Sequence, residues 1–379
     1  MENTVKTKPN LLGRWLRLAP IRHILTALSA ALIALYFIFR SNTALMENIC
    51  GSISRPWHLL CSRLLSALPF SMADVIIIAG IAAALTYIIF SVAQILRRKV
   101  SVPLGLYRFF ITVLSCVCII YAFFCLLWGV YYYTSDFEKQ SGLYAEPISA
   151  EQLETVTKYF AEKANLYSDR VARNENGRFF EERSDILALS AGIYDNAESL
   201  FPCLAGNDIP VKGFFFSFLM DYTTYTGFFF PFTGEANVNM NSPACMLPAT
   251  CAHELAHQRG VAAEDEANFV AVLASMESGN DIYCYSSGLL AYTYLGNALY
   301  KADRDAWERV YSTLNEYVIG DLKENNAYWA KYQTPVSTVA DAVYTKFLES
   351  YGQELGMQSY GACVDLLVAY YYDIAKESE

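Results

Sequence analysis

Apolar positions run almost without interruption through three stretches near the start of the chain and only later become periodic. Arg22 to Arg40, Asp74 to Arg97 and Arg108 to Asp136 enclose no formal charge. Each is long enough for the roughly 17–25 apolar residues of a bilayer-spanning helix, which predicts spans at about 23–39, 75–96 and 109–133. No small-residue cleavage site follows the first, so it reads as an uncleaved anchor rather than a signal peptide. Between the first two spans, Trp57, Leu60, Leu64 and Leu68 recur at helical spacing, predicting a helix lying along the membrane interface. Past Asp136 the texture turns mixed. Ser149 with Gln152, followed by Leu153, Val156 and Phe160, predicts a capped amphipathic helix, and a second helix is expected from Ser184 to Leu200. From Ile209 to Met240 aromatic and β-branched residues are interrupted by Gly213, Gly227, Pro231 and Gly234, the texture of short strands and turns; Glu235 to Met240 alternates like a strand. Pro248 onward reads as helical, with Gly260, Gly279, Gly296 and Gly320 as expected breaks. The pattern predicts a mainly α, membrane-anchored chain: an anchor over 1–135, then an α+β domain over 136–379 with a small sheet and a mostly helical C-terminal part.

Composition supports this division. A chain of 379 residues with 54% hydrophobic residues and a net charge of −10 is too apolar to be soluble throughout. Its lack of a basic stripe argues against a nucleic-acid partner. Lys6, Lys8, Arg14, Arg17 and Arg22 precede the first span, and Arg97, Arg98, Lys99 and Arg108 separate the second from the third. Cytoplasmic loops carry such excess. The expected protein is multi-pass in the cell membrane, touching lipid, with a cytoplasmic N-terminus and an extracytoplasmic C-terminal domain. Trp128, Tyr131, Tyr132 and Tyr133 read as an aromatic belt ending the third span. Ten cysteines do not make a disulfide framework at this length; Cys50, Cys61, Cys203, Cys245, Cys251, Cys284 and Cys363 fall in the expected extracytoplasmic parts, where bridges are permitted, and the sequence assigns no pairing.

The candidate chemistry sits at His253-Glu254-Leu255-Ala256-His257. Two imidazoles four residues apart share one helix face, where both can bind a single metal, and the intervening carboxylate can take a proton from the water that metal activates. Zinc is the expected ion. A catalytic zinc usually takes three protein ligands, and no further histidine lies beyond residue 136 other than these two. Gly260 can end the motif helix, after which Glu264-Asp265-Glu266-Ala267-Asn268 opens another. Glu264 is the expected third ligand, Glu266 its rival, and Asn268, four residues on, is expected to steady a ligand histidine. Cys251 falls on a different side of the helix and reads as packing. Tyr283, Tyr285 and Tyr292 are candidate oxyanion donors.

The HExxH sequence followed by Glu264-Asp265-Glu266-Ala267-Asn268 resembles the HExxH plus ExxA(D/N) pattern of gluzincin metallopeptidases, including their membrane-bound CAAX-protease group. The gap from His257 to Glu264 is shorter than gluzincins usually have, and Asn268 stands where Asp is commoner. The three spans, Pro231 to Asn237, His253 to Gly260 and Glu264 to Phe269 together resemble a family of bacterial membrane proteins catalogued as a domain of unknown function. The resemblance implies a zincin-like fold with Glu264 as ligand. It also implies that Glu235, Asn237 and Asn239, on the strand before the motif helix, line the cleft as an edge strand pairing with an extended peptide. The expected activity is zinc-dependent hydrolysis of peptide bonds in an extracytoplasmic protein or peptide, with Glu254 as general base. The alternative is a non-catalytic membrane sensor or assembly factor that binds peptides or a protein partner.

Overall fold

A computed structural model describes residues 19–145, 147–353 and 360–378; Lys6, Lys8, Arg14 and Arg17 lie outside them. The chain is mainly helical. It begins with α1 (Pro20–Phe39), α2 (Thr43–Ile49), a π-helical turn (Cys50–Ser54) and α3 (Arg55–Leu65). Next come α4 (Met72–Leu96) and α5 (Val102–Leu127). Helices α1, α4 and α5 are long and apolar enough to cross a membrane.

The third apolar helix ends earlier than expected. Trp128 leaves helical geometry and Gly129–Tyr133 forms a 3-10 turn, because Tyr36 of α1 donates a 2.9 Å hydrogen bond to the Gly129 carbonyl. A Cβ on Gly129 would lie 2.9 Å from that hydroxyl. The turn draws Trp128 and Tyr131 into the protein, where both are buried; they do not ring the end of the helix as a belt. Helix α3 has the predicted stripe. Trp57, Leu60 and Leu64 are exposed while His58 and Ser62 face inward, although Leu68 lies beyond the helix end.

The remaining domain starts with α6 (Phe137–Ser141) and α7 (Ala150–Ser168), the latter opened by the predicted capping box of Ser149 and Gln152. The single helix expected over 184–200 is split into α8 (Arg183–Leu189) and α9 (Asp195–Leu200) by a 3-10 turn at Ser190–Gly192. There the Ser190 hydroxyl accepts from the Val211 amide at 2.9 Å, tying the turn to the chain entering the sheet.

Strand β1 (Lys212–Phe214), α10 (Ser217–Thr223), β2 (Gly227–Phe230) and β3 (Glu235–Asn239) follow. The sheet order is β1-β3-β2. β1 pairs parallel to β3, with Lys212 opposite Asn237; β2 pairs antiparallel, with Gly227 opposite Val238. The chain continues as α11 (Leu247–Gln258), α12 (Glu264–Ser278), α13 (Asp281–Ala302), α14 (Arg304–Tyr311), α15 (Glu316–Ala330), α16 (Pro335–Ser350) and α17 (Tyr360–Ser378). Gly260 and Gly279 break helices as expected, at φ +96° and +64°. Gly296 and Gly320 do not: they lie inside α13 and α15. At Gly320 the missing side chain admits Arg178, whose Cζ would lie 2.6 Å from a Cβ.

Buried residues of α7, α11, α12, α13 and α17, among them Phe160, Leu255, Phe269, Leu289 and Leu367, make one apolar core. A polar clamp joins that core to the apolar helices. Lys212 Nζ donates to the carbonyls of Leu65 and Phe70 at 2.8 and 3.1 Å and to Glu235 Oε1 at 2.8 Å. Glu235 in turn accepts from the Met72 amide and the Thr233 hydroxyl, and Asp74 accepts from the Phe215 amide. No disulfide joins any of the ten cysteines.

Candidate metal centre

Helix α11 is fixed at both ends in a way that presents the histidines. Pro248 stands in its first turn, where a missing N–H costs nothing, and the Ser286 hydroxyl accepts from the Ala249 amide at 2.9 Å. At the other end Gly260 reverses the chain; a Cβ there would approach Tyr131 to 2.9 Å. The reversal returns the Val261 carbonyl to His257 Nδ1 at 2.7 Å. That bond sets the ring's tautomer and leaves Nε2 free as a ligand atom.

His253 Nε2 lies 3.2 Å from Glu264 Oε2, and His257 Nε2 lies 3.6 Å from Glu264 Oε1. The rings stand nearly perpendicular with centroids 4.7 Å apart, and one donor atom from each of the three residues lies within 4.8 Å of the others. Ligands at about 2.0–2.2 Å from a tetrahedral ion are roughly 3.3–3.6 Å apart, and the two separations between Glu264 and the histidines are close to that spacing. Electrostatics agree. Burial alone would lower the His257 imidazole, but the Glu264 carboxylate overcomes it and raises the ring to about 9. Burial likewise opposes ionisation of Glu264, yet the two histidines hold that carboxyl well below its ordinary value.

Glu264 is the first residue of α12 and Glu266 is two residues further, about 200° round the axis. Helical phase separates them: Glu266 is buried elsewhere and accepts from the Glu138 amide at 3.3 Å. Glu264 also accepts from the Tyr344 hydroxyl at 2.5 Å. Replacing Glu264 by Ala should weaken zinc binding more than the roughly 10–100-fold typical of an outer-shell change, while Glu266→Ala should leave it near normal. Zinc titration of the two folded variants decides this, and the opposite ranking would move the ligand role to Glu266.

Glu254 points beside the histidines and is buried. It lies against β2 at Gly227, where a Cβ would sit 2.7 Å from its Cγ. Burial pushes its carboxyl up to about 7 against the pull of His253 and His257. Its Oε2 has no hydrogen-bond partner, and neither does His253 Nδ1. These residues line a cavity of about 440 Å³ with Asn268, Gly227, Phe229, Trp128, Tyr132, Tyr344 and Phe347.

Several expectations are corrected here. Asn268 lines the cavity but bonds neither histidine; the Val261 carbonyl does the steadying. Glu235, Asn237 and Asn239 are not on the cavity wall. β3 is the central strand, paired on both sides, and its polar side chains are buried in local bonds: Glu235 to Lys212, Asn237 to the Glu235 carbonyl, Asn239 to Asp221. The edge strand beside Glu254 is β2. Tyr283 and Tyr285 spend their hydroxyls on the Ile186 carbonyl and Asp321, and Tyr292 lies away from the cavity. Tyr344 escaped the sequence reading because no spacing relates it to the motif, while Trp128 and Tyr132, read there as belt residues, line the cavity instead.

A model of the family described as "Protein of unknown function (DUF3810)" matches residues 52–368. No curated protein and no solved structure matches the chain.

Proposed function

The chain belongs to this DUF3810 family of unknown function, and we propose that it is a membrane-anchored, zinc-dependent metallopeptidase acting on an extracytoplasmic protein or peptide. One observation carries the reading: His253, His257 and Glu264 converge in a cavity where Glu254, buried at their side, keeps an unpaired oxygen. Two imidazoles and one carboxylate are the ligand chemistry of catalytic zinc, whereas closed structural sites favour four protein ligands and cysteine. Such an ion, when bound, polarises a carbonyl and activates water at neutral pH.

The chain's own groups supply the rest. Glu254 Oε2 takes the proton of the attacking water and returns it to the leaving amide nitrogen. Its elevated proton affinity suits that exchange. Tyr344 holds the Glu264 carboxylate in place. The substrate backbone adds to the open edge of β2 beside Gly227, where strand addition would lay a peptide across the carboxylate. Apolar helices α1, α4 and α5 anchor this centre outside the cytoplasm, with the Arg97-Arg98-Lys99 turn on the inner side.

The test compares peptide termini in cell envelopes containing either the wild-type chain or Glu254→Gln. New termini present only with the wild type support the peptidase. Identical termini, with metal and partner binding intact, would make the chain a binding module.

A further inference from the structure

From Gly213 to Gly234 the chain carries one charged residue, Asp221. That carboxylate is buried, accepting from Asn239, Asn241 and Tyr328. The charge thus serves the interior. The outward face of α10 and the turn before it keep Phe215, Phe218, Leu219 and Tyr222, each more than half exposed. Helix α16, packed beside α10, adds Val336, Val339 and Val343 at one-face spacing, and these too are more than half exposed. A contiguous apolar surface of this kind marks an interaction site.

Its position identifies the occupant. The Phe215 amide donates to Asp74 in the first turn of α4 at 3.1 Å. Arg40, just past α1, donates to the carbonyl of Ser350, the last residue of α16, at 3.2 Å. Phe347 packs on Phe124 near the end of α5 with centroids 5.8 Å apart, and the hydroxyls of Tyr351 and Tyr121 meet at 3.2 Å. Both apolar helices are therefore tied to the same end of all three candidate spans. The surface continues into α4, in which only Ala73 and Asp74 are buried.

We propose that the exposed face of α10 and α16 is immersed in the lipid leaflet at the outer ends of α1, α4 and α5. This sets the metal cavity, walled by Tyr225, Tyr344 and Phe347, at the membrane boundary. The inference rests on α1, α4 and α5 spanning a bilayer, as the proposed function has them, and not on hydrolysis.

The test reconstitutes the full chain into phosphatidylcholine–phosphatidylglycerol vesicles, with a photo-crosslinking phenylalanine analogue at Phe218 or Val339. Ile89 of α4 serves as the lipid-facing reference and Tyr300 of α13 as an exposed position on another helix. Phospholipid adducts at 218 and 339 comparable to those at 89, with at least tenfold fewer at 300, are expected. Adducts at 89 but not at 218 and 339, or adducts at 218 and 339 to a second copy of the chain, would overturn the lipid contact. Absence of adducts at 89 as well would overturn it together with the spans. Peptidase failure leaves all these readouts unaffected.

Discussion

Glu254→Gln in the full-length protein should keep its zinc and lose peptide hydrolysis by about 10²–10⁴-fold, the usual contribution of a positioned acid–base group. Glutamine preserves the shape that packs against Gly227, so the site is not reshaped. Because Glu254 Oε2 has no partner to lose, an amide there breaks no existing hydrogen bond. What vanishes is the proton-accepting oxygen. Hydrolysis at the wild-type rate by the zinc-loaded variant would remove Glu254 from the chemistry.

The second large effect is on stability. Lys212→Met should destabilise the protein by ~3–5 kcal/mol, because it strands the buried Glu235 carboxylate without its counter-charge. The ammonium now has three acceptors, the Leu65 and Phe70 carbonyls and Glu235, so its removal also unties the sheet from the segment entering α4. Adding Glu235→Leu should restore much of the loss, since an apolar pair of similar volume can replace a buried ion pair at small cost. Denaturant unfolding of the detergent-solubilised chain reads both. A single variant as stable as wild type would show that the clamp is not held by charge.

Much of this architecture was legible because it is local. Uninterrupted apolar runs identified α1, α4 and α5, and Ser149 with Gln152 marked the start of α7 from three-residue spacing alone. His253, Glu254, His257 and Glu264 were likewise readable, since helical phase and one Gly260 turn decide which side chains can meet. Failures occur where distant contacts override local pattern. Alternation at 235–239 signals a strand equally well at an edge or in the centre, and only pairing with β1 and β2 makes β3 central. Trp128 looked like a belt residue until the Tyr36 bond to Gly129 turned the chain inward. Tyr344 reaches Glu264 across 80 residues. Gly320 resembled a break because a glycine that admits a neighbouring side chain looks, in sequence, the same as one that ends a helix.

The central claim is that His253, His257 and Glu264 hold a catalytic zinc, and the most direct measurement is elemental analysis of the full-length protein purified without chelators after zinc supplementation. About one zinc per wild-type chain is expected, with none in the folded His253→Ala/His257→Ala protein. A zinc-free wild type, or the same zinc content in both, would contradict the claim.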